Sequence, residues 1–321
     1  MEISLVIILF FVFFAFEICY FKIADKFNII DQPNHRSSHT DVTLRGGGII
    51  FTLGLMVYPF FFGLEYWCFL LGLAIIAFIS FIDDIRPVSN KLRVVFHLAG
   101  GALMFYQLGL YHLPYYWIIL ALILLIGCIN AINFMDGING ITGLYALITL
   151  STLLYINLYV IEFTTSNLLI TSLISIFVFN FYNFRTKAKC FAGDVGSVGI
   201  AFVILFFLLQ LIIRTENFNY LLLLLLYGLD TVTTMFFRLI RKENIFDAHR
   251  SHFYQYLANE RKLSHLIVSS IYGIIQLIIN ILIVNWMSKS VLMCCMVLIF
   301  SGIAFLMLRI YMEGYKRLLG H

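Results

Sequence analysis

"ISFIDDIRP", residues 79–87, ends an apolar run on two adjacent aspartates, Asp83 and Asp84. The run behind it, near 66–82, approaches the roughly 20 residues that one bilayer crossing takes. Comparable runs recur near residues 3–21, 46–63, 93–110, 115–132, 138–160, 165–182, 194–213, 219–236, 266–285 and 290–309, which makes eleven candidate helices. The 321 residues are 62% hydrophobic and 12% charged, about half the charge of a soluble domain. The expected fold is an all-α polytopic integral membrane protein with about 11 transmembrane helices. With only four prolines and no Ser/Gly linker or internal repeat, residues 1–321 read as one integral membrane domain. The first run, "ISLVIILFFVFFAFEICY", has neither a basic leader nor a small-residue cleavage site and is expected to be a retained span. The six cysteines form no C-x-x-C pair and are expected to be reduced, buried small hydrophobes.

Eleven spans put the connecting loops on alternate sides. One set is 22–45, 83–92, 133–137, 183–193, 237–265 and 310–321. Counting Arg93 and Arg309 with the loops they abut, it takes 19 of the 21 Lys and Arg, leaving Arg214 and Lys289 to the other side. The positive-inside rule makes the rich set cytoplasmic, with the N-terminus outside and the C-terminus inside.

Every chemically promising cluster falls in that set: "DQPNHRSSH" and "LRGGG", "DDIRPVSNKLR", "NAINFMDGING", "FAGDVGS" and "DAHRSHFYQYL". A transporter would place polar residues near the midplane on broken helices, so this one-sided pattern favours an enzyme acting at the cytoplasmic face. Acids gathered at one face repel each other, and Mg²⁺, commonly held by one or two carboxylates plus substrate phosphates, relieves that repulsion. Mn²⁺ is an alternative cation. Nearby Arg, Lys, His and Gly-rich turns suggest a phosphate substrate. Each element also has a plainer reading. The Asp83–Asp84 pair can be a solvated helix end, "NAINFMDGING" a polar turn, and "RGGG" a phosphate-cradling turn or simply a tight one. Asn130, Asn133 and Asp136, spaced i, i+3, i+6, would lie along one side of a helical end. His249 and His252 could share a helix face as zinc ligands do, and His97, inside a span, reads as a packing residue.

The ordered set DD, N-x-x-N-x-x-DG, F-x-GD-x-GS and a His-containing loop resembles the polyprenyl-phosphate N-acetylhexosamine-1-phosphate transferases of the WecA/MraY type. "RSSH", "RGGG" and "AHRSHFYQ" look closest to the bacterial branch that initiates O-antigen or capsule repeats. The resemblance implies transfer of an N-acetylamino-sugar-1-phosphate from a UDP-sugar to undecaprenyl phosphate in the bacterial inner membrane, with release of UMP. UDP-GlcNAc, UDP-FucNAc and UDP-QuiNAc are the donors considered. It implies Asp83, Asp84, Asp136 and His252 as catalytic, and Asp194 and Asn133 as metal ligands. Phe191 would stack on uracil, with Asn130, Asn139, Lys91, Arg93, Arg45, His249 and Arg250 as further substrate contacts. Asp230, Arg238 and Arg241 resemble the D-T…R-R stretch before the His loop. The sequence departs from the family at Asn139, where many members have an acid, and in "HRSHF", which lacks the fuller His cluster. The pentapeptide-transferring branch and a lipid-linked sugar transporter are the alternatives. The lipid bilayer is an expected partner and nucleic acid is not; a homodimer is compatible with the sequence.

Overall fold

The computed structural model describes residues 1–32, 42–244, 249–287 and 290–320. "RSSH", Ala248 of "AHRSHFYQ" and Lys289 lie outside them. The described residues are predominantly helical. In order, α1 is Ile3–Lys26, α2 Ile49–Phe62, α3 Trp67–Ile85, α4 Asn90–Gln107, α5 Tyr115–Phe134, α6 Ile141–Tyr159 and α7 Ser166–Asn183. Then come α8 Gly193–Thr215, α9 Leu225–Ile240, α10 Phe253–Asn259, α11 His265–Leu282, α12 Val291–Glu313 and α13 Tyr315–Leu319. Long helices are what an apolar chain must form in lipid, where each backbone N–H and C=O needs an internal partner.

Each of the eleven apolar runs becomes helix. Among the described residues, nine helical stretches are long and apolar enough to cross a membrane. The two that fall short have visible reasons: α2 has 14 residues, and α4 carries Lys91, Arg93, His97 and Gln107. Length and composition thus support nine of the eleven expected spans.

Helix α8 is the axis of the bundle, with 83% of its apolar window buried, whereas α12 has 11% and lies outermost. Close approach to α8 depends on glycine. A Cβ on Gly48 would fall 2.3 Å from the Gly196 backbone, so the turn before α2 rests directly on the first turn of α8. Helices α3 and α4 meet through Gly72 and Gly100 in the same way, as membrane helices do where small residues line the contact.

The loops sort into two ends, as the alternation requires. At one end Gln107 donates to Glu65 O at 2.9 Å, and the Thr165 hydroxyl donates to Tyr66 at 2.7 Å. At the other, described residues of the opposite set of loops meet, with Arg45 on Asp84, Ser197 on Asn133 and Arg241 on Leu318 O. A two-stranded antiparallel pair, β1 (Ile30–Asp31) and β2 (Thr43–Leu44), sits at this second end, and Leu44 bridges to Cys190.

The last apolar run before the His loop is irregular: a 3-10 stretch, Phe218–Leu224, precedes α9. Gln276 of α11 mends the junction, accepting the Leu226 N–H at 3.0 Å and donating to Leu222 O at 3.3 Å. These buried polar atoms are thereby employed in holding backbone, not in lining a path across the bundle. The cysteines are all free, yet Cys19 and Cys295 are exposed. That corrects the expectation of general burial: both lie on outward helix faces, where a small apolar side chain meets lipid as well as it meets core.

Candidate active site

Asp83 and Asp84 end α3, and successive helical residues point about 100° apart. Their surroundings differ accordingly. The Asp83 carboxylate accepts the Val88 N–H at 2.6 Å and pairs with Arg93 at 2.9 Å. Asp84 turns inward, its side chain fully buried beside Arg45. One of its oxygens accepts Arg45 Nε at 2.7 Å and the Asp194 N–H at 2.8 Å. Its other oxygen accepts the Val195 N–H at 2.9 Å. Helix α8 has no capping side chain of its own at Ala192, so Asp84 caps it from a distant helix. A helix N-terminus attracts anions, and here an internal carboxylate takes that place.

Asp194, in the first turn of α8, keeps 20% of its side chain exposed and lies 3.8 Å from Arg45 and 4.0 Å from Arg93. Its carboxylate meets that of Asp83. Three carboxylates thus share two guanidinium groups. Arg45 is held strongly cationic: burial opposes its charge, but Asp84, Asp194 and Asp31 more than offset this.

The "RGGG" turn carries a correction. The N–H groups of Gly47 and Gly48 donate to Phe191 O at 2.8 Å and Ala192 O at 3.1 Å. They clamp the turn to α8 and do not cradle a phosphate. The contribution of this motif is Arg45, whose own carbonyl accepts the Tyr20 hydroxyl. Phe191 is half-buried immediately before α8, and its N–H donates to Leu44 O at 2.8 Å.

Helix α5 stops at Phe134, so Asp136 lies beyond the helical end on which it was expected. Its N–H still reaches Asn133 O at 3.1 Å, which keeps the two residues together. Asn133 Oδ1 accepts the Ser197 hydroxyl at 2.6 Å, tying α5 to α8. Asn130, half-buried, sits one turn earlier. Asp136 accepts the Thr142 hydroxyl at 2.7 Å. Burial raises its pKa to about 6; the Thr142 bond opposes the rise and the Asp84 charge adds to it. Asn139, expected at the substrate, is instead buried, its amide donating to Arg185 O at 2.9 Å and Thr186 O at 3.2 Å. It staples two loops. Lys91 is exposed, and Arg250 is half-buried.

His249 and His252 precede α10 and do not share a helix face, so the zinc-like reading of their spacing fails. Their rings stack at 5.0 Å. Burial, with His252 and Arg238 nearby, holds the His249 pKa down to about 3, so this ring is neutral. His252 is 1% exposed, and its Nδ1 lies 3.2 Å from Asp230 Oδ1. Asp230, wholly buried in α9, also accepts the Phe253 N–H at 2.9 Å, the Tyr254 N–H at 3.2 Å and the Tyr272 hydroxyl at 2.6 Å. It therefore caps α10 while orienting His252. The Nε2 of His252 is buried without a hydrogen-bond partner among the described residues, a state that polar atoms in a packed interior seldom occupy.

The His segment adjoins the acids through the end of α5. The Phe134 ring lies 5.8 Å from that of His249 and 6.4 Å from that of His252. Tyr254 donates to Phe134 O at 3.0 Å. Sequence reading singled out Asp230 only within the D-T…R-R stretch, and it missed Ser197 and Thr142 as the groups holding Asn133 and Asp136. The Ser of GD-x-GS and the Thr in the first turn of α6 carried that signal, but only the fold pairs them with α5 and the residues that follow it.

Residues 66–212 match the family model described as Glycosyl transferase family 4. The matched stretch is just under half of the chain and includes the Asp83–Asp84 pair, Asn133, Asp136 and Asp194. It supports a membrane-embedded transferase of the polyprenyl-phosphate sugar-phosphate kind. Arg45, Asp230 and the His segment lie outside it. A search of the curated proteins finds none that matches this chain.

Proposed function

We propose that the chain transfers an N-acetylamino-sugar-1-phosphate from a UDP-sugar to undecaprenyl phosphate, releasing UMP, as the first step of a cell-surface polysaccharide repeat. The observation that carries this reading is the convergence of Asp83, Asp136, Asp194 and Asn133 with Arg45, Arg93 and His252 at one end of an apolar bundle. A lipid phosphate and a water-soluble diphosphate can meet only there, because the sugar nucleotide does not enter hydrocarbon and the polyprenyl chain does not leave it. The positive-inside bias favours a cytoplasmic position for this end.

The acids suit Mg²⁺. Among the described residues, no group of three or more His, Cys, Asp or Glu is gathered as a self-sufficient metal cage requires. Mg²⁺ asks for less, since one or two carboxylates and the substrate's phosphates complete its shell. Asp194, partly exposed beside Asp83, is the fitting carboxylate, with Asn133 tied to the same helix through Ser197. Bound there, the ion would neutralise charge on the donor diphosphate. Arg93 and Arg45 orient the anionic substrates, and Phe191 offers a ring to the uracil. A phosphate monoester, with second pKa near 6, is largely ionised at neutral pH, so direct attack by the acceptor needs little activation.

The test is UMP release from a panel of UDP-N-acetylamino sugars with undecaprenyl phosphate and Mg²⁺. Donor-dependent UMP with a matching lipid-linked sugar diphosphate is expected. No UMP from any donor, under conditions in which the protein is folded, sinks the proposal.

The raised pKa of Asp136 gives a pH signature. A carboxyl group whose folded pKa exceeds its unfolded value stabilises the fold at pH below the unfolded value, and that contribution is lost as pH rises through about 6. A cation near the ionised group offsets the loss. Mg²⁺ is therefore expected to raise the melting temperature more at pH 7.5 than at pH 5.5, in thermal scans of the protein in detergent. An equal shift at both values would separate Asp136 from the metal.

A further inference from the structure

Helix α12 is the outermost helix, and its buried residues are Cys294, Phe305 and Arg309. A buried arginine on such a helix is costly, and this one is 1% exposed. Each of its nitrogens is employed. Nε donates to Glu313 at 2.6 Å, one terminal nitrogen to Thr233 at 3.0 Å and Thr234 at 2.8 Å, and the other to Ser251 O at 2.9 Å. The Tyr256 hydroxyl and Arg261 both donate to Met312 O. The inward polar contacts of α12 thus concentrate on the segment that carries His252.

Arg309 reaches His252 along two routes. The Thr234 hydroxyl, with Arg309 on its lone pair, gives its hydrogen to Asp230 Oδ1 at 3.2 Å. That same oxygen faces His252 Nδ1. On the other route, the carbonyl that Arg309 holds belongs to Ser251, the residue before His252. We infer that Arg309 is a positioning residue, which fixes the ring orientation and tautomer of His252 through Thr234–Asp230 and through Ser251. With Nδ1–H directed at Asp230, Nε2 is the nitrogen left to accept a proton or meet a phosphate. This inference rests on the proposed role of His252 and explains why the catalytic end needs a helix that otherwise faces lipid.

The plain alternative is that Arg309 only anchors α12. Removing one partner of a buried ion pair destabilises in either case, although Glu313 keeps Arg317 at 3.0 Å; a mere anchor would leave the His252 ring unchanged. The test uses the full chain in lipid nanodiscs, with Arg309→Met and Arg309→Lys. Side-chain ¹⁵N shifts report which nitrogen of His252 carries the proton, and amide exchange reports Phe253 and Tyr254 against α11. In Arg309→Met we expect mixed His252 tautomers and at least tenfold faster exchange at Phe253 and Tyr254, with α11 unaffected. Turnover should fall roughly 10- to 100-fold, the scale of a small misplacement at a reacting group. The double variant Arg309→Met/His252→Ala should be no slower than His252→Ala alone, and Arg309→Lys should recover part of the loss. If Arg309→Met does not fold, Thr234→Val breaks one route only and should shift the His252 signature in the same direction. An unchanged His252 signature, or protection lost evenly along the chain, overturns the inference. If His252→Ala turns over like the native chain while Arg309→Met still disturbs the ring, the positioning stands and the catalytic reading of His252 falls.

Discussion

Asp194→Asn is expected to lower sugar-phosphate transfer by about a thousandfold and to leave the melting temperature unchanged or higher. The first half follows from charge. Metal neutralisation of a reacting phosphate is worth several kcal/mol, and about 4 kcal/mol corresponds to roughly a thousandfold in rate. An asparagine of the same shape keeps one oxygen but loses the negative charge that holds the ion. The second half follows from geometry. The Asp194 side chain has its nearest guanidinium contacts at 3.8 and 4.0 Å, longer than hydrogen bonds. Its backbone N–H, which Asp84 does bind, survives the substitution. Removing one of three crowded carboxylates relieves repulsion, while the lost attraction to the α8 N-terminus is worth about 0.3–1 kcal/mol. The measurement is turnover across a Mg²⁺ titration alongside thermal unfolding. Near-native turnover at ordinary Mg²⁺ would remove Asp194 from the metal; a large drop in melting temperature would make it a structural group instead.

The fold was readable because lipid imposes helices on apolar runs, so each of the eleven runs becomes one. Which of them can span was less readable where charge intrudes, as in α4. The acids were legible as a set confined to one group of loops, and the structure brings Asp83, Asp84 and Asp194 together. Partners were not legible. Asp84 caps α8 from 110 residues away, and nothing local in "DDIRP" indicates that one acid faces a helix end while its neighbour faces Arg93. "RGGG" misled for a related reason. Glycine serves both phosphate approach and close backbone packing, and only the Gly48–Gly196 contact tells them apart. Asn139 was placed at the substrate because the family often has an acid there; its amide hydrogens instead go to loop carbonyls 46 and 47 residues away. His252 was singled out as a residue of the His loop, but its anchor, Asp230, lies 22 residues earlier, and spacing alone gives no such pairing.

Asp83→Asn and Asp84→Asn should fail differently. Asp84 uses both carboxylate oxygens: one for Arg45 and the Asp194 N–H, the other for the Val195 N–H. An asparagine must turn its NH₂ toward one of these donors, which leaves a donor facing a donor in a buried place. Breaking a buried ion pair costs about 3–5 kcal/mol. Arg45 retains 32% exposure, which favours the lower end, about 3 kcal/mol. Asp84→Asn should therefore lower the melting temperature, loosen the first turn of α8 and abolish transfer with it. Asp83 is nearer the surface and has one strong ionic partner, Arg93 at 2.9 Å. Asn at this position can still accept the Val88 N–H, so the fold should persist. Its loss should appear in use of the lipid acceptor, because Arg93, no longer held by Asp83 and left only with Asp194 at 4.0 Å, would grip the phosphate too early or in the wrong place. Donor binding should survive in Asp83→Asn, since the uracil is assigned to Phe191. The measurements are thermal unfolding, UDP-sugar binding and transfer as a function of undecaprenyl phosphate, run on both variants. Equal melting temperatures would show that Asp84 is not the cap on which α8 depends. Loss of donor binding in Asp83→Asn with normal acceptor use would move this carboxylate from the lipid phosphate to the nucleotide.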